Sequence, residues 1–339
     1  MTKTTLKEIA DILDLSISTV SKALKGYPDV SQQTKKRVLE LTESLSYTPN
    51  TFAQSLRSRT SKTIGVIIPA MVHYFFSNII DAILREAESR DYMVILMQSN
   101  EDAQLEKKQV DLLLKKGVDG ILMSLSNKTH NFEHLQKIID YNIPLVLFDK
   151  IAKLVPCSKV TIDDIKASYD AVQFLINKGH QRIAYFRGDL NPQNSIDRFL
   201  GYKKALEDND IAFDPSLVYL CPDADFKDGY TAAEKLINDH GTSIDAVHSI
   251  TDLTAIGAIN YFNKKNIRIP EDIAVLGFSN WFMSSIITPT LSSVEQNAGK
   301  MGEESIRILF DEMDSKQKGM TIKHQKIVID TQLVLRNSC

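Results

Sequence analysis

The hydrophobic positions of the first 47 residues predict three short helices. A Thr-x-x-Glu capping box at Thr5 and Glu8 begins the first helix, whose apolar face includes Ile9. The second helix spans residues 18–24, and Ser31 is a suitable N-cap for the third. Two short helices joined by a tight turn and braced by a third form a helix-turn-helix unit. This shape favours DNA binding, although it also occurs in proteins that do not bind DNA.

A weak helical pattern follows Pro49. Asn50 can cap a helix that reaches Arg57, but barely two turns are too few for a stable isolated helix. Leu56 would be an exposed apolar side chain beside basic residues, which is typical of a wedge into the minor groove of DNA. We therefore expect this segment to fold when it meets DNA, with a plain linker as the alternative.

From Lys62 onward, short apolar runs alternate with helical patterns. This alternation predicts βαβ units and parallel sheets that are covered on both faces. The predicted strands are residues 63–69, 92–98, 119–124 and 144–149 in a first half, and 159–163, 182–186, 218–220, 245–250 and 273–278 in a second. The tail adds a helix at 298–313 and one final strand at 326–336. Each half has the length of one domain, so we expect an all-α head followed by an α/β body of two doubly wound lobes.

Composition and charge narrow the class of protein. The chain has 339 residues, of which 43% are hydrophobic and 24% charged, as in ordinary globular proteins. No apolar run is long enough to span a bilayer, no secretory signal is visible, and the three cysteines are scattered, so we expect a cytoplasmic location. Residues 1–60 hold nine Lys/Arg against six Asp/Glu, whereas the whole chain has a net charge of -3. A basic head on an acidic body suits a protein that touches nucleic acid with one end.

The second helix is the candidate recognition helix, and its outward side chains include Ile17, Ser18 and Lys22. Lys22 can donate to the O6 and N7 acceptors of guanine, Ile17 can contact a thymine methyl, and Ser18 specifies weakly. Polar groups at the helix starts can contact phosphates, although each hydroxyl can equally be only a helix cap. The candidate phosphate contacts are Thr5, Ser16, Thr19, Ser21, Ser31, Thr34, Tyr47 and Asn50.

The body carries no motif for cofactor or catalytic chemistry. The sequence has no Gly-x-Gly-x-x-Gly after the first strand, no Walker A loop, no Gly-x-Ser-x-Gly elbow and no zinc-ligand spacing. We therefore expect no cofactor, no metal and no enzyme, and a ligand clamp is the better interpretation. In such sheets, ligands bind beyond the carboxyl ends of the strands.

These strand ends carry hydroxyls, carboxylates, an arginine and aromatic side chains, a combination that suits a sugar. Aromatic side chains also stack on purines, so the chemistry alone leaves both ligand classes open. Asp149 or Asp252 could instead cap the helix that follows, and Trp281 could be a core residue.

Ordered motifs along the whole chain resemble the lactose-repressor (LacI/GalR) family of bacterial transcription regulators. They include TLKEIADILDLSISTVSKALKG, YTPNTFAQSLR, NKGHQRIAYFRG and RIPEDIAVLGF. The resemblance implies a homodimer whose two heads bind a near-palindromic operator, and a body like a periplasmic sugar-binding protein. It implies a head of residues 1–47 and a hinge of 48–61. The body, 62–339, would have one lobe of about 62–160 and 292–322 and another of about 162–290 and 325–339.

The resemblance also assigns roles to individual residues. It implies that Ile17, Ser18 and Lys22 read bases, and that a hinge helix of Ala53, Leu56 and Arg57 enters the minor groove. The effector positions that it implies are Phe75, Phe76, Ser124, Asp149, Arg198, Thr251, Asp252, Ser279 and Trp281. This chain departs from the usual pattern at Lys22, where arginine is common, at Thr251, where asparagine is usual, and at Ser279, where aspartate is usual.

The leading hypothesis is a DNA-binding repressor controlled by a small effector, most simply a sugar. A purine corepressor or a phosphorylated partner protein remains an alternative means of control. A soluble sugar-binding protein with a vestigial head is a second hypothesis, and an enzyme on a doubly wound fold is a third without a supporting constellation.

Overall fold

The computed structural model describes residues 5–45, 47, 60–71 and 74–339 of the chain. The chain divides into two compact units, Met1–Ser61 and Lys62–Cys339. Most of the predicted hinge, including Asn50, Ala53, Leu56 and Arg57, lies outside the described residues.

The head contains the three predicted helices, α1 Leu6–Leu13, α2 Ile17–Leu24 and α3 Gln32–Ser44. Hydroxyl side chains begin all three helices, because Thr5, Ser16 and Ser31 each accept a hydrogen bond from a backbone N–H of the first turn. The Thr5–Glu8 capping box forms in both directions. A small core lies between the helices, made of Ile9, Ala10, Val20, Ala23, Val30 and Val38.

The first lobe is built on a six-stranded parallel sheet. Its strands are β1 Thr63–Ile68, β2 Met93–Gln98, β3 Gly120–Met123, β4 Leu145–Phe148, β5 Ser158–Ile162 and β11 Lys326–Ile329. Their order in the sheet is β11-β5-β4-β3-β1-β2. Helices α4 Tyr74–Ser89 and α11 Ala298–Gln317 cover one face, and α5 Ala103–Lys116 and α6 Glu133–Asp140 cover the other. The strands are near-continuous apolar runs because both faces of the sheet are buried.

The second lobe repeats this arrangement. Its strands are β6 Ile183–Arg187, β7 Val218–Leu220, β8 Ala246–Ser249, β9 Ala274–Phe278, β10 Ser292–Glu295 and β12 Gln332–Val334, in the order β12-β10-β9-β8-β6-β7. Helices α7 Asp164–Asn177 and α8 Gln193–Asp208 pack on one face, and α9 Phe226–His240 and α10 Asp252–Lys264 pack on the other. Only the edge strand β12 runs antiparallel to its neighbour among the pairings described for this sheet.

Strand pairing corrects part of the predicted lobe assignment. The predicted single strand 326–336 is two strands, because β11 pairs with β5 in the first lobe and β12 pairs with β10 in the second. Strand β10 belongs to the second lobe rather than to 292–322 of the first, and β5 (predicted as 159–163) closes the first lobe instead of opening the second. These errors share a cause: an apolar run shows that a strand exists but not which sheet its backbone joins.

The corrected pairing places three crossovers between the lobes, after β5, after β10 and after β11. All three lie at the carboxyl ends of these strands, beside the cleft that separates the lobes. No helix within the described ranges is long and apolar enough to cross a membrane.

Candidate DNA interface and effector cleft

The candidate recognition helix α2 presents the three predicted base-reading residues on its surface. Ile17 is 49% exposed although it is apolar, and Ser18 and Lys22 are also exposed. The Lys22 ammonium does not point freely into solvent, since Nζ donates to Asp29 Oδ2 in the loop before α3. This ion pair raises the pKa of Lys22, chiefly through the hydrogen bond to Asp29. The charge that is expected to read a base is therefore shared with a neighbouring carboxylate.

Three of the predicted phosphate-contacting hydroxyls, those of Thr5, Ser16 and Ser31, are also helix caps. Ser16 Oγ accepts from the backbone N–H of Thr19 at 3.1 Å, and Ser31 Oγ accepts from that of Thr34 at 3.1 Å. The hydroxyls of Thr19 and Thr34 each lie 2.8 Å from the capping oxygen. An O–H has one donor and two lone pairs, so Ser31 keeps spare hydrogen-bonding capacity, whereas Ser16, which also contacts the Ser18 hydroxyl at 2.7 Å, would have to exchange a partner for a phosphate.

Two other predicted phosphate contacts are less exposed. Ser21 is half-buried on α2. Tyr47 packs against the core of the head, and partial burial raises the pKa of its phenol.

The predicted effector residues meet in one cavity between the two lobes. Eight of the nine line it. They are Phe75, Phe76, Asp149, Arg198, Thr251, Asp252, Ser279 and Trp281. The first three come from the first lobe and the others from the second, so a molecule in the cavity touches both.

Arg198 is the best-anchored cation of the cavity, and it is only 4% exposed. Its guanidinium donates from Nε to Asp164 Oδ1 at 2.8 Å, from Nη1 to the carbonyl of Ile250 at 3.0 Å and from Nη2 to Gln296 Oε1 at 3.1 Å. The guanidinium carbon lies 3.7 Å from the centre of the Phe278 ring. Three of the five N–H donors are thereby committed to the protein, and two remain for a ligand.

Asp252 lines the cavity wall and also holds neighbouring backbone in place. Its carboxylate accepts hydrogen bonds from the Trp281 backbone N–H at 2.5 Å, from Ser284 Oγ at 2.8 Å and from Ser293 Oγ at 2.5 Å. Burial raises the pKa of Asp252 to about 6 despite these hydrogen bonds. The neighbouring Thr251, rather than Asp252, is the N-cap of α10. Asp252 therefore fixes the loop that carries Trp281.

Ser279 and Asp149 occupy unusual backbone positions. Ser279 has a φ of 108° and its hydroxyl accepts from Gln296 Nε2 at 2.7 Å. Asp149 has a φ of 56°, and its Oδ1 accepts from Asn194 Nδ2 at 3.2 Å across the cleft. Burial raises the pKa of Asp149 above that of an ordinary aspartate. Positive φ outside glycine is uncommon and costs conformational energy, which at both positions directs a polar side chain to the cavity wall.

Aromatic side chains form the apolar part of the wall. Phe75 and Phe76 pack edge to face with ring centres 5.4 Å apart, and Phe76 continues onto Phe148. Trp281 packs edge to face on Phe282 at 5.5 Å and remains partly exposed.

Ser124, the ninth predicted effector residue, does not line this wall. It follows β3 as expected, but it is fully buried, and its hydroxyl accepts from the Lys150 backbone N–H at 3.4 Å. The loop beginning at Lys150 covers the end of β3 and separates Ser124 from the cavity.

The cavity also contains polar residues that the sequence did not single out. Asn194 and Ser195 could have been found because they start a helix after a strand, and Glu101 and Lys150 because each follows a predicted strand-end residue. No pattern marks Gln296, which reaches the site only because the chain crosses between lobes there. The Ser195 hydroxyl is buried without a hydrogen-bond partner in the described part of the chain.

Polar contacts hold the lobes together across the cleft. Asn191 Nδ2 donates to the carbonyls of Asn127 at 2.6 Å and Thr129 at 3.2 Å. Lys153 Nζ lies 3.2 Å from Asp197 Oδ2, also between lobes. The cleft is therefore closed by few contacts, which a ligand could reinforce.

A helix-turn-helix head and a two-lobed body with a polar, aromatic cleft together define a DNA-binding regulator with a ligand-binding domain. The family described as bacterial regulatory proteins, lacI family, matches residues 5–50, and that described as periplasmic binding proteins and sugar binding domain of LacI family matches 61–329. This chain belongs to the LacI family of bacterial transcriptional regulators. The fold class and the family resemblance predicted from the sequence are thus confirmed.

Individual relatives match along almost the whole chain. The transcriptional regulator RegA of Clostridium saccharobutylicum is 32% identical over 99% of both chains. The transcriptional regulator CelR, solved in complex with cellobiose, is 26% identical with a TM-score of 0.75, covering 99% of this chain and 100% of that one. The lac repressor dimer bound to operator and the anti-inducer ONPF has a TM-score of 0.86 at 23% identity, covering 99% of each chain, and shows the same fold.

Proposed function

We propose that this regulator is a repressor that binds a near-palindromic operator as a homodimer, and that a saccharide in the interlobe cleft controls its affinity for DNA. The observation that carries the proposal is the composition of the cavity, where aromatic rings, carboxylates and an anchored guanidinium meet from both lobes. A ligand that touches both lobes binds one lobe arrangement better than another, and this difference is the source of control.

The chemistry of the cavity suits a polyhydroxylated ligand. Asp149 offers carboxylate oxygens, Arg198 keeps two N–H donors, and Ser195 supplies an unpartnered hydroxyl. Trp281 and the Phe75–Phe76 pair offer apolar faces for the C–H groups of a sugar ring. CelR, which is similar along the whole chain, binds cellobiose.

On the DNA side, we assign base reading to Ile17, Ser18 and Lys22. The capping hydroxyls at Ser16 and Ser31 would position the head on phosphates without reading sequence. The hinge roles of Ala53, Leu56 and Arg57 in the minor groove, and the phosphate role of Asn50, are part of the same proposal. A regulator of this type works in the bacterial cytoplasm beside its DNA.

Dimerisation is supported by the edge strand β2 of the first lobe. Its residues are apolar up to Gln98, Met93 is 61% exposed, and the others are only half-buried. An apolar edge strand with free backbone groups is a surface that proteins usually cover. The flanking helices also carry exposed leucines, Leu84 and Leu112.

Calorimetric titration with a panel of neutral mono- and disaccharides and of purine bases tests the effector site. We expect a saccharide to bind, and Trp281→Ala to weaken it about tenfold, equivalent to ~1.4 kcal/mol. Phe226→Ala is the matched control, because Phe226 is an aromatic residue 39% exposed outside the cavity wall. If only a purine binds and no saccharide does, the effector is a purine and not a saccharide. Saccharide binding that survives Trp281→Ala unchanged would contradict the assigned site.

A further inference from the structure

We infer that the cleft discriminates by charge, so that the effector is a saccharide without phosphate or carboxylate and an amino substituent strengthens its binding. This inference rests on the proposed function, since it concerns the same cavity. It goes further because it assigns the charge state of the ligand.

The wall of the cavity is rich in carboxylates. Five acidic residues line it against two basic ones, Lys150 and Arg198. Both cations are already engaged by the protein. Lys150 Nζ lies 2.7 Å from Glu101 Oε1 and also donates to Asn127, and Arg198 is held by Asp164 at 2.8 Å. An anionic ligand would have to displace Lys150 from its partners, or bind the two remaining N–H groups of Arg198, whose charge Asp164 already partly offsets.

Three lining carboxylates, Asp149, Asp189 and Asp223, form no ion pair within the described part of the chain. Asp149 accepts one hydrogen bond from Asn194, and Asp189 Oδ1 accepts one from the Asn191 backbone N–H at 3.0 Å. Asp223 is exposed at the rim. Oxygens with spare lone pairs accept hydroxyl or ammonium donors, and the solvent-accessible carboxylates of Asp189 and Asp223 repel a phosphate.

One local feature favours an anion, and it is weaker than the carboxylates. Helix α8 starts at the cavity without a side-chain cap at Pro192, so its N-terminus contributes about half a positive charge. The Asn194 side chain already accepts from the Ser195 backbone N–H at 2.8 Å. The second helix that starts there, α10, is capped by Thr251 and carries Asp252 in its first turn.

Calorimetry on the full-length protein with matched ligand sets tests the inference. Each set contains a neutral sugar, its 2-amino derivative and its 6-phosphate, as in glucose, glucosamine and glucose 6-phosphate, with galactose and trehalose sets alongside. Low salt is used so that screening does not hide the effect. For the saccharide that binds, we expect the phosphate to bind at least tenfold more weakly and the amine to bind more tightly than the neutral parent. A phosphate that binds as well as its neutral parent overturns the inference but leaves the saccharide proposal standing, whereas no binding by any member sinks the saccharide proposal itself.

Charge-neutralising variants locate the discrimination. Asp189→Asn and Asp223→Asn each keep the shape of the side chain and remove one negative charge. Each is expected to reduce the neutral-over-phosphate preference severalfold. Asp210→Asn is the matched control, since Asp210 is an exposed aspartate in a turn that does not line the cavity. Equal ratios for all three variants and the parent protein would show that these carboxylates do not set the preference.

Discussion

At the scale of single residues, the carboxylates around the cleft divide into two kinds. Asp252 and Asp164 use their carboxylate oxygens within the protein. Asp252 accepts from the Trp281 backbone N–H, and Asp164 accepts from Arg198. Asp149 and Asp189 keep spare acceptor capacity toward the cavity. The first kind fixes the geometry of the site, and the second kind is free to meet a ligand.

Asp164 makes the stability of the body depend on pH. Burial raises its pKa to about 7, and Arg198 only partly opposes this, with Asp149 and Asp197 adding negative charge nearby. An aspartate in the unfolded chain has a pKa of about 3.9, so the folded state binds the proton more tightly. This contribution to stability is present in acid and is lost as the pH rises from about 4 to about 7.

Asp164→Asn removes this titration. We expect the unfolding free energy of the parent minus that of the variant to fall as the pH rises through this window, by about 1 kcal/mol per unit. Urea denaturation followed by the fluorescence of Trp281, the only tryptophan, provides the measurement. A difference that grows with pH would mean that Arg198 stabilises the carboxylate more than burial penalises it.

Asp29 restrains the recognition helix through Lys22. Asp29→Asn should free the ammonium and increase affinity for DNA of any sequence by up to about fivefold, since breaking an exposed ion pair costs little free energy. The preference for operator over random DNA should fall. Fluorescence anisotropy with both DNAs measures this, with Asp11→Asn, an exposed acid on α1, as the control. Weaker operator binding in Asp29→Asn would instead assign Asp29 a positioning role.

The residue types at the strand ends predicted most of the cleft. What they could not predict has a physical reason. Phe75, Arg198 and Trp281 were identifiable because their positions follow strands or match a family motif. Ser124 has the same sequence context, but an adjacent loop covers it. Whether a side chain faces a cavity or lies beneath a loop depends on tertiary packing, which local pattern does not contain.

At the scale of elements, the second lobe depends on close helix pairs. A Cβ on Gly229 of α9 would lie 1.9 Å from the Thr254 carbonyl oxygen of α10, and one on Gly257 of α10 would lie 2.1 Å from the Phe226 carbonyl oxygen of α9. The two helices therefore touch backbone to backbone. This contact fixes α10, whose N-terminus carries Thr251 and Asp252 into the cleft.

Gly257→Ala should separate these helices and destabilise the body by about 1–3 kcal/mol, the usual cost of overpacking. Gly299→Ala on α11 is the control, because a Cβ there meets nothing within 4 Å. It should be neutral or slightly stabilising. Urea denaturation of both variants measures this. Equal unfolding free energies for Gly257→Ala and Gly299→Ala would show that the helix pair accommodates an added methyl group.

Element types were predictable along the chain, but their partners were not. Periodicity placed the strands and helices within a few residues, and α11 runs one turn beyond its predicted end at 313, to Gln317. The run 326–336 has one continuous β pattern, yet its two halves join different sheets. Pairing is decided by the geometry of the whole body.

At the scale of the whole molecule, the two lobes meet through three crossovers and a few polar contacts. Arg198 donates hydrogen bonds to residues beside two of the crossovers. Asp164 follows the first crossover, and Gln296 lies in the second. A ligand that engages Arg198 is thus connected to the segments that set the lobe arrangement. In the proposed homodimer, the edge strand β2 of the first lobe is the contact surface.

Met93→Lys places a charge on this exposed edge and should weaken the homodimer at least tenfold. Val328→Lys is the matched control, because Val328 is 49% exposed on β11, the opposite edge of the same sheet. Sedimentation equilibrium of both variants measures the dissociation constants. If Val328→Lys dissociates the dimer and Met93→Lys does not, the interface lies on the other edge.

Control of DNA binding by the head is assigned to a ligand in the cleft. Its most direct test is the operator affinity, measured by fluorescence anisotropy with and without the saccharide found by calorimetry, on operator DNA selected from a random pool. We predict a change of at least about fivefold, in either direction, for the parent protein. Trp281→Ala should bind operator normally without ligand and should need about ten times more ligand than the parent protein for the same change. Equal operator affinity with and without saturating saccharide in the parent protein would contradict the account.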